Sequence, residues 1–244
     1  YQITSAHPKY AEILEALHGT EDEIAKLIDM ETGVREYFNG STVEVVGGFV
    51  KYEGDVVDTT LTKRILQFMR EGLPFEPLVR FFENLMKNPS YRARQELYDF
   101  LENKSLPITE DGCFLAYKAV NSDYKDKWSG NIDNSVGQVV EINRGKVDDN
   151  REKGCSSGLH CGALDYVRSY GSESYGDHVM IVKVNPADAV SVPADCEFMK
   201  LRTCKYGVLS ETEWTDELRS PVYSPDGQEY DYDDDYDDDY DEDD

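Results

Sequence analysis

The chain has 244 residues and a net charge of −25, from 50 acidic and 25 basic side chains. This length suits one large domain or two small ones, and so acidic a surface disfavours direct binding to DNA or RNA. No apolar run approaches the roughly 18 residues of a membrane-spanning helix, so we expect a soluble chain. Five cysteines without regular spacing fit a reducing compartment better than a disulfide scaffold.

The first 60 residues are predicted to form a helical part followed by a β-meander. Apolar side chains recur at three- and four-residue spacings from Tyr10 to Leu17 and again from Ile24 to Ile28, so helix is predicted through about Ile28. The run "STVEVVGGFVKYEGDVVD" then combines β-branched and aromatic residues with the turn dipeptides Gly47-Gly48 and Glu53-Gly54. That composition is typical of short strands joined by tight turns.

A helical segment is predicted over residues 61–104. Leu61, Ile65, Phe68 and Met69 share one face of the first helix, and the second spans about Glu76 to Met86. For the third helix, Asn88 has the side chain of an N-cap and Pro89 suits the first helical position. The apolar residues of all three helices are expected to form core.

From residue 105 to 222 the pattern changes to short strands, and a compact mixed α/β domain is predicted. One helix, about Ala163 to Tyr170, lies among the strands. The overall class is therefore α+β, and residues 223–244 form an acidic tail. The predicted strands are "CFLAYKAV" (113–120), "GQVVEI" (137–142), "HVMIVKV" (178–184), "AVSV" (189–192) and "KYGVLS" (205–210).

Several blocks of the chain resemble the rIIB family of T-even-type phages, in the same order, over about residues 61 to 211. These blocks are "FFENLMKNPSYRARQELYDFLENKSLPITEDGCFLAYKAV", "YKDKWSGNIDNSVGQVVEI", "CSSGLHCG" and "VKVNPADAVSVPADCEFMKLRTCKYGV". The resemblance implies an early phage accessory protein that acts with a partner, rIIA, in lysis timing and in protection against exclusion by a resident prophage. It places the protein in the host cytoplasm, with peripheral association at the inner membrane left open. It implies no catalytic residue.

The stretch "CSSGLHCG", residues 155 to 162, allows several interpretations. Structural zinc usually takes two short-spaced ligand pairs, and no such pair is present, so we predict no metal site. A cysteine or serine nucleophile needs a base within hydrogen-bond reach, and no nucleophile motif is present. The favoured interpretation is a strand-turn-helix junction that could line a pocket. Leu159 would then enter the core and His160 would bond to backbone, while Cys113, Cys196 and Cys204 would be buried.

A second interpretation of the same domain is an ADP-ribosyltransferase-like fold that binds NAD or another nucleotide. The order of elements would place Lys118 on the first strand, Ser156 and Ser157 before a helix, and Glu211 on a late strand. In such folds a basic residue holds NAD and a glutamate stabilises the developing oxocarbenium ion. Lysine lacks the planar bidentate contacts of arginine, so Lys118, Ser157, His160 and Glu211 are weak catalytic candidates.

The acidic tail is the most extreme feature of the sequence. From Asp226 onward there are 13 acidic residues and no basic ones, so the free tail is predicted to be disordered. A solvated tail is one interpretation and a weak cation sink another. A third is a nucleic-acid mimic that inhibits a host protein, with tyrosines in place of stacked bases. The predicted contact residues are Tyr232, Asp235, Tyr236, Asp239 and Tyr240.

Together these observations predict a non-enzymatic, rIIB-like accessory protein that works by protein–protein contact. The expected partner is an rIIA-like phage protein or a host protein with a basic surface. No cofactor is expected, and the sequence leaves the oligomeric state open.

Overall fold

The computed structural model describes residues 10–15, 17, 20, 42–46, 48–71 and 73–229. These residues form helices and mainly antiparallel sheets, which confirms the predicted α+β class. In the described part of the chain, no helix combines the length and the apolar character needed to cross a membrane. The helices are α1 (Tyr10–Glu15), α2 (Thr60–Glu71), α3 (Glu76–Met86), α4 (Tyr91–Asn103) and α5 (Leu164–Tyr170).

The predicted meander is present as a separate three-stranded antiparallel sheet. Its strands are β1 (Val43–Val46), β2 (Phe49–Tyr52) and β3 (Asp55–Val56), in that order. The turn between β2 and β3 has positive φ at both central residues, 51° at Glu53 and 89° at Gly54. Such a turn matches the right-handed twist of the flanking strands, which explains the tight connection.

The larger sheet has nine strands, and its main path runs β6-β11-β8-β5-β7-β10-β9. Neighbours along that path are antiparallel, whereas β12 pairs in parallel with β4, which pairs with β5. The strands are β4 (Ile108–Thr109), β5 (Phe114–Val120), β6 (Val139–Glu141), β7 (Leu159–Gly162), β8 (His178–Val184), β9 (Ala189–Ser191), β10 (Lys200–Thr203), β11 (Lys205–Thr212) and β12 (Val222–Tyr223).

The apolar runs of the sequence became the central strands of this sheet. All seven residues of β5 are buried, as is usual for a strand covered on both faces. The five predicted strands are confirmed as β5, β6, β8, β9 and β11, with ends shifted by at most two residues. Strand β10 was not predicted, because Lys200 and Arg202 make it look polar although both side chains are buried.

The predicted start of the third helix is wrong by two residues. Ser90, and not Asn88, is the N-cap of α4, and its hydroxyl oxygen accepts from the Ala93 amide at 3.2 Å. The Asn88 amide nitrogen donates instead to the carbonyls of Pro186 and Ala189. Tertiary hydrogen bonds therefore use the side chain that the sequence assigned to capping.

The meander, helices α2 to α5 and the large sheet share one hydrophobic cluster, which extends from Val43 to Tyr223. The helical segment meets the sheet where the rings of Phe81 and Phe114 pack edge to face, with centroids 6.3 Å apart. On the sheet, α5 packs against β5 and β7. The division at residues 60, 104 and 222 stays a sequence prediction.

Candidate functional site

The stretch "CSSGLHCG" forms β7 and leads directly into α5, as predicted for a strand-to-helix junction. Leu159 and Cys161 are buried in the core. Gly158, at the entry to the strand, has φ of 147°. Gly162 lies in the strand and not in a turn. A Cβ there would stand 2.1 Å from the Met199 carbonyl oxygen. This second glycine is needed for close approach of two backbones.

The two serines before the strand hold a loop together. The Ser157 hydroxyl donates to the Lys146 carbonyl at 2.8 Å, and Ser156 donates to the Asp148 carboxylate. The Ser156 hydrogen bond is the largest cause of a lowered pKa at Asp148, followed by bonds from the Asn150 amide and Lys153. The serines therefore hydrogen-bond to a local carbonyl and a local carboxylate.

Lys118 is buried on β5, with 9% of its surface exposed. Its ammonium donates to the His160 carbonyl oxygen at 3.0 Å and lies 5.4 Å from the centre of the Tyr206 ring. Burial lowers the pKa of Lys118, because a low-dielectric environment disfavours the charged form. Within the described part of the chain, no acidic side chain forms an ion pair with it.

His160 is oriented differently from the prediction. Its main-chain carbonyl makes the bond to Lys118, whereas the ring Nε2 is buried without a protein hydrogen-bond partner among the described residues. Burial lowers the pKa of the ring to about 4, and the nearby cations Lys118, Lys200 and Arg202 act in the same direction. The imidazole is therefore neutral at pH 7, with one of its nitrogens unused.

These groups line a small cavity, which we call the Lys118 cavity, of about 70 Å³. Two aromatic side chains lie at its mouth and form what we call the aromatic rim: Trp128, which is 90% exposed, and Tyr170, which is 48% exposed. The lining residues are Lys118, Ala119, Asp126, Lys127, Trp128, Ile132, Gly158, Leu159, His160, Tyr166, Tyr170 and Tyr206.

The loop that carries Trp128 is held by the Asp126 carboxylate. This carboxylate accepts backbone hydrogen bonds from Ser129 at 2.6 Å, Ile132 at 2.8 Å and Asn131 at 3.0 Å. The neighbouring Lys127 forms an ion pair with Asp177. Sequence reasoning missed this loop as part of a site, although an aspartate followed by serine, glycine and asparagine indicates a self-bonded turn.

Glu211 belongs to a different cluster. Its carboxylate accepts from the Tyr124 hydroxyl at 2.9 Å and contacts His178 Nδ1 at 2.6 Å. The Tyr124 and His178 rings stack with centroids 4.2 Å apart. Glu211 lies at the far end of β11 and does not line the Lys118 cavity.

Of the four weak catalytic candidates, the structure brings together Lys118 and His160 at the cavity, whereas Ser157 and Glu211 do not line it. The cavity is also well below the roughly 300 Å³ at which pockets for drug-sized ligands begin. This arrangement gives no support to a dinucleotide site.

The cysteines are divided between core and surface. Cys113, Cys161 and Cys204 are buried, whereas Cys155 and Cys196 are exposed, so the prediction of burial was wrong for Cys196. It lies in a short turn, Cys196–Phe198, whose three residues have positive φ. Among the described residues, no three histidine, cysteine or acidic side chains are grouped as metal ligands. The predicted tail contacts, from Tyr232 to Tyr240, lie outside the described residues.

Comparison with known proteins identifies the family. The family model described as bacteriophage T4 protein rIIB matches residues 10–222 of this chain. The chain belongs to the rIIB family. Protein rIIB of Enterobacteria phage T4 is 39% identical over 208 residues, which cover 85% of this chain and 66% of the T4 protein. The chain thus spans slightly less than two thirds of that relative's length. No solved structure matches it.

The rIIB match extends beyond the blocks that carry the resemblance in the sequence. It begins at residue 10, whereas the recognisable motifs begin near residue 61. The N-terminal helical part and the meander therefore belong to the family region. The Lys118 cavity, its rim and the Glu211 cluster all lie within the matched residues.

Proposed function

We propose that this rIIB-family chain is a phage accessory protein that acts by protein–protein contact in lysis timing and in protection against prophage exclusion. Family membership supports the biological setting. The observation that carries the contact role is Trp128, which is 90% exposed on a loop held by hydrogen bonds. Tryptophan on a preorganised surface is a common anchor of protein interfaces.

The proposed partner is the rIIA-like protein of the same phage, and a host protein with a basic surface is the alternative. Two parts of the chain are proposed to contact it: the aromatic rim and the acidic tail. They differ physically, because a tryptophan anchor acts by desolvation and is insensitive to salt. Tail contacts, in contrast, are screened as ionic strength rises.

The decisive experiment is titration of the purified chain with the purified rIIA-like protein of its own phage, by calorimetry at low and high salt. Trp128→Ala is expected to weaken binding by about 2 kcal/mol or more, as hot-spot residues do. The matched control is Tyr91→Ala, since Tyr91 is also an exposed aromatic at 71% but lies on α4. Equal affinities for both variants and the wild-type chain would show that the rim is not the contact.

The tail is tested in the same titration with a chain that ends at Glu229. This end keeps the contacts of Ser224 with Asp226 and Gln228. A loss of affinity that disappears at high salt would assign the contact to the tail. An unchanged affinity would remove the predicted role of Tyr232, Asp235, Tyr236, Asp239 and Tyr240.

The biological role is tested by placing Trp128→Ala in the phage genome and following culture turbidity after infection. We expect lysis timing to change as it does when the whole gene is deleted, and Tyr91→Ala to leave it unchanged. Normal timing with Trp128→Ala would contradict the rim as the functional contact. Fractionation of infected cells would test the proposed location, host cytoplasm with peripheral contact at the inner membrane.

A further inference from the structure

We infer that the Lys118 cavity is a binding site for a small oxyanion, of the size of a phosphate or carboxylate group. This inference goes beyond the protein contact proposed above and does not depend on it. It is based on a buried ammonium that forms no ion pair among the described residues, a buried ring nitrogen of His160 without a protein hydrogen-bond partner there, and a volume that fits one such group.

Lys118 places a buried ammonium at the cavity. A buried ammonium is costly unless it is paired, and this one bonds to a single carbonyl, that of His160. An ammonium has three N–H donors, so two remain available to an acceptor in the cavity. The Tyr206 ring, 5.4 Å away, attracts the ammonium but carries no charge of its own.

A second buried cation lies on the other side of His160. Arg202 is opposite His160 in the pairing of β7 with β10, and it is 0% exposed. Its guanidinium donates to main-chain carbonyls, including those of Asp148 at 2.8 Å and Asn150 at 3.1 Å. Among the described residues it forms no ion pair, and its charge acts on the His160 ring together with that of Lys118, although Arg202 does not line the cavity.

His160 also lines the cavity. Its Nε2 is buried and lacks a protein partner among the described residues. A buried polar atom without a partner costs about 1 to 3 kcal/mol, which an oxyanion accepting from Nε2–H would recover. Lys118 and His160 would then contact different oxygens of one group.

Asp126 also lines the cavity, and its carboxylate attracts the Lys118 ammonium without forming an ion pair with it. Its two oxygens are engaged by the backbone amides of Ser129, Asn131 and Ile132 and by the Ser129 hydroxyl. These donors hold the carboxylate in the loop, so the remaining N–H donors of Lys118 stay open to another acceptor.

The size of the cavity limits the ligand. Each water needs roughly 10–15 Å³ of such volume, so a cavity of about 70 Å³ has room for roughly five to seven water-sized atoms. A free phosphate or carboxylate would fit entirely. In a larger molecule, the remainder would extend past the aromatic rim, where Trp128 and Tyr170 offer flat apolar surfaces.

The test is a titration of the full chain with inorganic phosphate, followed by tryptophan fluorescence and by the melting temperature. Sodium acetate and sodium chloride at equal ionic strength are run beside it. Phosphate or acetate is expected to raise the melting temperature beyond chloride, because a ligand of the native state stabilises it. The phosphate and acetate arms show which oxyanion is preferred. Identical responses to all three salts would overturn the inference.

Two variants connect the response to the cavity. Lys118→Met keeps the length of the side chain and removes its charge, and it is expected to weaken binding by about tenfold or more, as loss of a charged hydrogen bond does. The matched control is Lys205→Met, at an exposed lysine paired with Glu141. Equal affinities in these two variants would contradict the site.

His160→Leu is the second variant, because it removes the ring donor and keeps the main-chain carbonyl that Lys118 uses. We expect it to weaken oxyanion binding about fivefold or more, with wild-type fluorescence in the absence of ligand. It also preserves the test if Lys118→Met does not fold. Undiminished binding in His160→Leu would show that the ring does not contact the ligand.

Discussion

The side chain of Asn88 joins parts of the fold that are far apart in sequence. Its nitrogen donates to the carbonyls of Pro186 and Ala189, both at 2.7 Å. Its oxygen accepts from Arg144 Nη2 at 2.8 Å and from the Ser90 amide at 2.9 Å. Only 1% of the residue is exposed, so water cannot replace these bonds if the side chain is removed.

Asn88→Ala is therefore expected to lower the free energy of unfolding by about 3 kcal/mol, the cost of leaving several buried polar groups unsatisfied. The control is Asn84→Ala, one turn earlier in α3, whose side chain bonds to the carbonyls of Asp111 and Gly112 in a less buried position. That change is expected to cost about 1 kcal/mol. Urea unfolding of the two variants measures both values, and similar losses would contradict the central role of Asn88.

The Asp126 carboxyl is expected to affect how the free energy of unfolding changes in acid. Its burial raises the pKa of the carboxyl, but hydrogen bonds from Ser129, Ile132 and Asn131 outweigh burial and lower the pKa to about 2. Because the folded pKa lies below the unfolded value, this group stabilises the fold above about pH 4 and loses that effect as the pH falls towards 2. The contribution is roughly 2 to 3 kcal/mol.

Asp126→Asn removes this titration, so between pH 4 and pH 2 the variant should lose less stability than the wild-type chain. The matched control is Asp149→Asn, which removes one carboxylate at an exposed position. Urea midpoints at half-unit pH steps measure the effect. The account fails if Asp126→Asn and the wild-type chain lose stability in parallel over that window.

At the level of single residues, the sequence predicts part of the site and misses the rest for a physical reason. Lys118 and His160 were candidates because of their residue type and their neighbours on predicted strands. Tyr206 and Trp128 were not, because only the packing of β11 and of the Asp126 loop brings them to the cavity. Neither residue carries a local signal of that contact.

Among the elements, the junction of β7 and β10 depends on the absence of a side chain at Gly162. A Cβ there would lie 2.1 Å from the Met199 carbonyl oxygen and 3.0 Å from Lys200 Cα. That carbonyl also accepts from the Ala163 amide at 2.8 Å, at the start of α5. The same close approach thus fixes the strand pair and the beginning of the helix that borders the cavity.

We expect Gly162→Ala to cost at least about 3 kcal/mol, since backbone and not a flexible side chain must move. Gly207→Ala is the matched control, because Gly207 also lies in a strand, β11, but a Cβ there has no heavy atom within 4 Å. That variant should be neutral or more stable by up to about 1 kcal/mol. Thermal unfolding compares the two, and equal effects would contradict the packing argument.

Elements with a strong apolar pattern were predictable, and those defined by tertiary contacts were not. Strands β5 and β8 are nearly continuous apolar runs, so their residues identify them. Strand β10 contains Lys200, whose ammonium is paired with Asp195 at 2.6 Å. Its polar composition conceals its burial, because the Lys200 and Arg202 side chains also donate to carbonyls of a distant loop, such as those of Gly154 and Asp148.

For the whole molecule, the charge is concentrated beyond the described fold. Ending the chain at Glu229 removes 11 of the 50 acidic side chains and leaves a net charge of −14. The last described contacts belong to the fold: Gln228 bonds to Ser224, and Glu229 forms an isolated β-bridge with Tyr223. The described contacts thus continue to Glu229, and the end of the C-terminal domain at residue 222 stays a sequence prediction.

Two truncations test this boundary. A chain ending at Glu229 should melt at the temperature of the full chain in 150 mM salt, where charges more than about 8 Å apart are screened.

A chain ending at Arg219 loses β12, the parallel partner of β4, and the buried ring of Tyr223, which is 3% exposed. Loss of a buried aromatic side chain costs about 3 to 5 kcal/mol, and the Tyr223 hydroxyl also accepts from the Arg219 and Ser220 amides. Calorimetry should therefore show a clear fall in melting temperature for the second truncation alone. If the melting temperature of the chain ending at Glu229 falls by the same amount, the acidic tail packs on the fold. The tail could then no longer be treated as a separate interaction arm.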